Sequence, residues 1–90
     1  MDEYVIIAPT KREAIQCYRL AREVLAPWLR KWYSKTRHEL VFDDFRLIFM
    51  TEEQSWAGGL QGRRGAQVFS SRYLEHKLDE FKERAENAIL

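Results

Sequence analysis

Tyr4-Val5-Ile6-Ile7-Ala8-Pro9-Thr10-Lys11-Arg12-Glu13-Ala14 is the stretch whose reading decides the fold. It begins as a short apolar run, β-branched at its centre, and stops at Pro9. That length and branching predict a strand buried on both faces, as in a parallel sheet. Thr10 is a good helix N-cap, and Glu13 three residues later completes a capping box. Ala14, Cys17, Tyr18, Ala21, Val24, Leu25 and Trp28 then recur at helical spacing and predict one buried face. Arg12, Arg19, Arg22 and Glu23 fall largely on the other side. Pro27 removes a backbone donor and disfavours helical geometry at Ala26. The helix is therefore expected to end near Leu25, with a second short turn running to about Tyr33.

Downstream the period changes. Leu40 and Phe42 alternate with Glu39 and Asp43, and Phe45, Leu47 and Phe49 alternate with Arg46, Ile48 and Met50. Two period-2 runs flanking Asp43-Asp44 predict a β-hairpin, 38–42 with 45–50. Its second strand is apolar on both faces and should lie inside the sheet. Residues 52–65 hold all four glycines and read as loop, with one helical turn near 52–56. A short strand follows at 66–70. Ser71 is a candidate cap for a last helix with a buried stripe at Tyr73/Leu74, Lys77/Leu78, Phe81, Ala85 and Ile89. Strands alternating with helices predict a single α/β domain over 1–90. A small central mixed sheet of about four strands should carry two main helices, with 4–8 and 66–70 parallel.

Composition narrows the function classes. Ninety residues leave no room for a second core. The single cysteine excludes an internal disulfide and, with two histidines, leaves little for a zinc site. The absence of an apolar run near 18 residues, or of a signal-like start, points to a cytoplasmic chain with no membrane contact. The net charge of +1 conceals blocks. Residues 11–37 carry eight basic and two acidic side chains, whereas 38–62 carry one basic and five acidic. Such blocks predict a basic and an acidic face, or else ordinary solvated surfaces.

The succession of motifs resembles the RecA-like core of terminase- and helicase-type P-loop ATPases. The resemblance covers most of residues 4–71. It rests on the Ala8-Pro9-Thr10-Lys11-Arg12-Glu13 junction, on Arg46-Leu47-Ile48-Phe49-Met50-Thr51, and on Leu60-Gln61-Gly62-Arg63-Arg64-Gly65 before a short apolar strand. In that family the junction faces nucleic-acid backbone. The family's phosphate loop would lie before Tyr4, where only Met1-Asp2-Glu3 stand, and Ser70-Ser71 replace its acidic pair. The resemblance therefore implies a reduced fragment without nucleotide hydrolysis, of the kind small phage or mobile-element accessory and inhibitor proteins could use.

Two surfaces are candidates. Arg30, Lys31, Trp32, Lys35 and Arg37, with Arg63 and Arg64, interleave cations with aromatics and predict a protein-docking surface. Alternatively, Lys11, Arg12, Arg63 and Arg64 would contact nucleic-acid phosphates. The Gly62-Arg63-Arg64-Gly65 loop is similar to the backbone clamp of KH domains, but it leads into a strand where that clamp joins two helices. Trp28 and Trp32 would sit one helical step apart, with Trp56 as a further aromatic. Cys17, His38 and His76 have no nucleophile–base spacing, so neither catalysis nor a metal or cofactor is expected.

Overall fold

The computed structural model describes residues 1–60, 63 and 65–88. Strand β1 (Asp2–Ala8) leads into helix α1 (Lys11–Val24), and β2 (Lys31–Tyr33), β3 (His38–Val41) and β4 (Phe45–Thr51) follow. A short helix α2 (Glu52–Gln54), strand β5 (Gln67–Ser70) and helix α3 (Leu74–Asn87) complete the order. The strands form one mixed sheet in the order β2-β3-β4-β1-β5. β1 is parallel to both β4 and β5, while β3 is antiparallel to β4 and β2. The α/β architecture and the buried, parallel β1 are as the sequence reads.

Side-chain alternation divides the sheet into two unlike faces. Ile6, Leu40, Leu47 and Phe49 point to the side covered by α1 and α3. There Tyr18, Ala21 and Leu25 of α1 meet Leu74, Leu78, Phe81 and Ala85 of α3. An aromatic cluster anchors this layer. Phe45 stacks on Phe42 at 4.7 Å between centroids, and Tyr4 meets Phe81 edge-on at 4.9 Å. Each fully buried phenylalanine contributes about 2–3 kcal/mol of transfer free energy.

The opposite face holds a smaller apolar group of Val5, Ile48 and Met50, against which Ile7, Leu60 and Ala66 pack. The β4–β5 connection thus crosses the face that α1 and α3 leave open. Thr51 and Gln54 form a complete capping box that starts it. The chain then continues irregularly through Ser55–Gly59, with Gly58 at φ 99°. At Gly59 a Cβ would lie 2.6 Å from the Gln54 carbonyl oxygen, so only glycine lets the chain pass.

Several local expectations are corrected. Residues 31–33 form a strand and not the expected helical turn, which brings the sheet to five strands. Pro27 opens only a 3-10 turn, Ala26–Trp28, so Trp28 and Trp32 do not share a helix. Thr10 caps α1 through the Glu13 N–H at 3.2 Å, one half of the expected box. Ser70, not Ser71, provides the cap before α3: its hydroxyl accepts from the Arg72 N–H, and a 3-10 turn, Ser71–Tyr73, precedes the helix. Tyr73, expected in the buried α3 stripe, is exposed in that turn, and Ile89, expected at its end, lies outside the described residues. No helix among the described residues is long and apolar enough to cross a membrane.

Candidate docking surface

β2 exists because β3 offers it a partner. Lys31, Trp32 and Tyr33 lie opposite Val41, Leu40 and Glu39. The Arg30 N–H also donates to the Val41 carbonyl at 2.9 Å. Period-2 alternation then sends Lys31 and Tyr33 to the open face and Trp32 to the helix-covered side. Trp32 is 49% exposed, and the Arg22 guanidinium lies 4.7 Å from its ring centroid. On the open face Tyr33 sits between Arg37 (3.9 Å) and Lys31 (5.0 Å). The Lys31 ammonium, aided by Arg37, holds the Tyr33 phenol below its ordinary pKa by favouring the phenolate.

A hollow of about 370 Å³ runs beside this strand and its turn, lined by Trp32, Tyr33, Ser34, Lys35 and Thr36. Among the described residues no carboxylate pairs with Lys31 or Lys35. Arg30 is differently placed. Its guanidinium grips Asp43 at 2.7 and 3.2 Å. That contact holds the Asp43 carboxyl below the usual carboxylate range. Arg30 therefore closes the β3–β4 turn and is not free for a partner.

The expected acidic face does not form around this hairpin. Glu39 is buried, with 1% exposure, between Arg46 at 2.7 Å and Arg37 at 3.1 Å. Glu3 lies 3.8 Å from Arg46 and 3.1 Å from Arg63. A ladder of alternating charge thus crosses the open face from the β4–β5 connection to the β2–β3 turn. Asp44 is drawn the other way, to Arg84 of α3 at 3.3 Å, where Arg84 also holds Asp2 at 2.7 Å. The ladder was invisible in sequence because its members are neighbours only across strands.

The predicted residues therefore separate into groups. Lys31, Trp32, Lys35 and Arg37 are brought together on β2 and its turn. Arg63 shares the open face with Arg37, joined to it through Glu3, Arg46 and Glu39, but its charge is engaged. Arg64 lies outside the described residues. Lys11 and Arg12 stand in the first turn of α1, beyond the carboxyl end of β1. Arg63 is held by Glu3 on the open face, on the opposite side of the sheet from α1. The described members of the predicted phosphate-binding set do not form one surface. Trp28 packs against the core, while Trp56 is 80% exposed beyond β4.

A second depression, of about 520 Å³, lies outside the carboxyl ends of the parallel strands. Its lining includes Glu13, Cys17, Glu52, Ser70, Ser71 and Arg72. Burial, with Glu13 and Glu75 nearby, pushes the Cys17 thiol up, away from the reactive thiolate. Among the described residues no group of three or more histidine, cysteine, aspartate or glutamate side chains could hold a metal ion. No family model, curated protein or solved structure matches this chain.

Proposed function

We propose that the protein is a non-enzymatic accessory or inhibitor protein that docks onto an acidic protein partner through β2 and the turn after it. One observation carries the reading: a half-exposed tryptophan lies on an edge strand that has cations on both faces and a hollow alongside. Aromatic anchors with a limited number of mobile atoms are the usual energetic centres of protein interfaces. Lys31 and Lys35 supply charge for steering and for selection of an acidic surface. Descent from a RecA-like core belongs to the same proposal and rests on the motif order quoted above.

A capped acidic peptide, Thr-Val-Asp-Glu-Asp-Glu-Val-Thr, and an oligothymidylate of matched charge provide the test. Both are titrated at about 50 mM salt. The reading expects the peptide to bind at lower concentration and the double variant Lys31→Glu, Lys35→Glu to lose it. Tighter binding of the oligonucleotide, lost on Lys11→Glu with Arg12→Glu, would move the function to nucleic acid.

A further inference from the structure

The two edges of the sheet differ in charge. β5 presents Gln67-Val68-Phe69-Ser70 with no charge of its own and one cation, Lys77 of α3, 6.0 Å from the Phe69 ring, whereas β2 presents Lys31-Trp32-Tyr33 with Arg22, Lys31 and Arg37 against its aromatics. Each edge strand is paired on one side only. Backbone groups on the far side of an edge strand are a template for another strand, and lysine on such an edge discourages self-pairing. The cations of β2 repel a second copy of β2. They do not repel an acidic strand.

We infer, building on the docking reading above, that the partner adds to β2 as a sixth strand and that its bound segment is a run of consecutive acidic residues. The run follows from the placement of charge on both sides of β2. An incoming strand sends successive side chains to opposite faces. On the open face its side chains meet Lys31 beside Tyr33, with Arg37, whose charge is shared with Glu39, on the ring's other side. On the helix-covered side they meet Arg22 against Trp32. A segment with acids at alternate positions satisfies only one of these faces, and one with acids at successive positions satisfies both. Main-chain hydrogen bonds then set the register and the alternating side chains set the specificity, as in strand addition generally. The hollow beside Trp32–Thr36 lies where the added strand would enter.

Backbone N-methylation separates strand addition from simple charge attraction. The peptide Thr-Val-Asp-Glu-Asp-Glu-Val-Thr is prepared in two further forms, one N-methylated at both aspartates and one at both glutamates. In a strand, alternate N–H groups face the neighbouring strand. One methylated form should therefore lose at least tenfold in affinity, while the other stays within about twofold of the parent. A fourth peptide carrying four acids at alternate positions should bind at least threefold more weakly than the parent. If both methylated forms bind like the parent, the partner is held by side chains alone and strand addition is wrong, although docking at β2 stands. If the alternate-acid peptide binds as well as the parent, the consecutive-acid rule is wrong. If the unmethylated parent fails to bind at about 50 mM salt, the docking reading itself fails.

Discussion

The two faces of the sheet are built by different physics. The helix-covered face is held by aromatic burial, with Phe45 at its centre among Tyr4, Phe42 and Phe81. The open face is crossed by the ladder of Arg63, Glu3, Arg46, Glu39 and Arg37. Burial is non-directional and grows with area, so the first face supplies the stability. Only Glu39 of this ladder is fully buried: its ion pairs give little net stability, but leaving that carboxylate unpaired is costly. The second face therefore fixes which turns and connections lie where, and it ends at the aromatic edge proposed to dock. Stability is placed on the helix-covered face, and the proposed recognition at the β2 edge where both faces end.

Four substitutions probe that division, in falling order of effect. Phe45→Ala removes the centre of the aromatic cluster and should cost about 3–5 kcal/mol in denaturant unfolding. A loss of that size is comparable to the whole stability of so small a domain, so Phe45→Leu, expected to cost about 1–2 kcal/mol, provides a measurable companion. Arg46→Met leaves the buried Glu39 carboxylate with Arg37 alone and should cost about 3 kcal/mol. The double variant Glu39→Leu, Arg46→Met should recover most of that loss, since it removes both charges together. A double variant as unstable as the single one would mean that the ladder itself supplies net stability, erasing the contrast between the faces. Thr10→Ala removes the α1 cap and should cost about 1 kcal/mol.

The smallest effect is a pH slope. His38 packs edge-on against Tyr18 at 5.1 Å between centroids. Burial first, then Lys11 and Arg19, lower its pKa below 6.5. The unfolded chain therefore takes up the proton first as the pH falls. Stability is complete above about pH 7, declines as the pH passes below the unfolded value near 6.5, and levels off below the folded value. His38→Gln should flatten the unfolding free energy between about pH 7 and pH 5. An undiminished slope in that variant would assign the titration to another group.

The sequence made legible what local pattern controls. The apolar run at Tyr4–Ala8, the Thr10 cap and the alternation around Asp43-Asp44 each carry their structure within a few residues and form as read, the Glu13 half of the capping box excepted. β2 was not legible for a physical reason. After Pro27 its residues give no periodic run long enough to define a strand, and they become one by pairing with Val41, Leu40 and Glu39. The same holds for charge. Glu39 reads as part of an acidic block, yet it is buried between Arg37 and Arg46, which strand pairing and the turn bring to it. Arg30 and Arg63 read as free cations and are each held by a carboxylate distant in sequence, and Arg37 is paired with Glu39. Residue types pointed to the proposed docking surface, and the sheet's topology leaves Lys31 and Lys35 as its cations without a carboxylate partner among the described residues.

The central claim, that β2 and its turn form the docking surface, is tested most directly by residue-resolved NMR. The 15N-labelled protein is titrated with the peptide Thr-Val-Asp-Glu-Asp-Glu-Val-Thr at about 50 mM salt. The amide shifts should move together at residues 31–37, with Gln67–Ser70 of the other edge and the first turn of α1 unmoved. Shifts confined to Lys11, Arg12 and their neighbours, or an unchanged spectrum at residues 31–37, would contradict it.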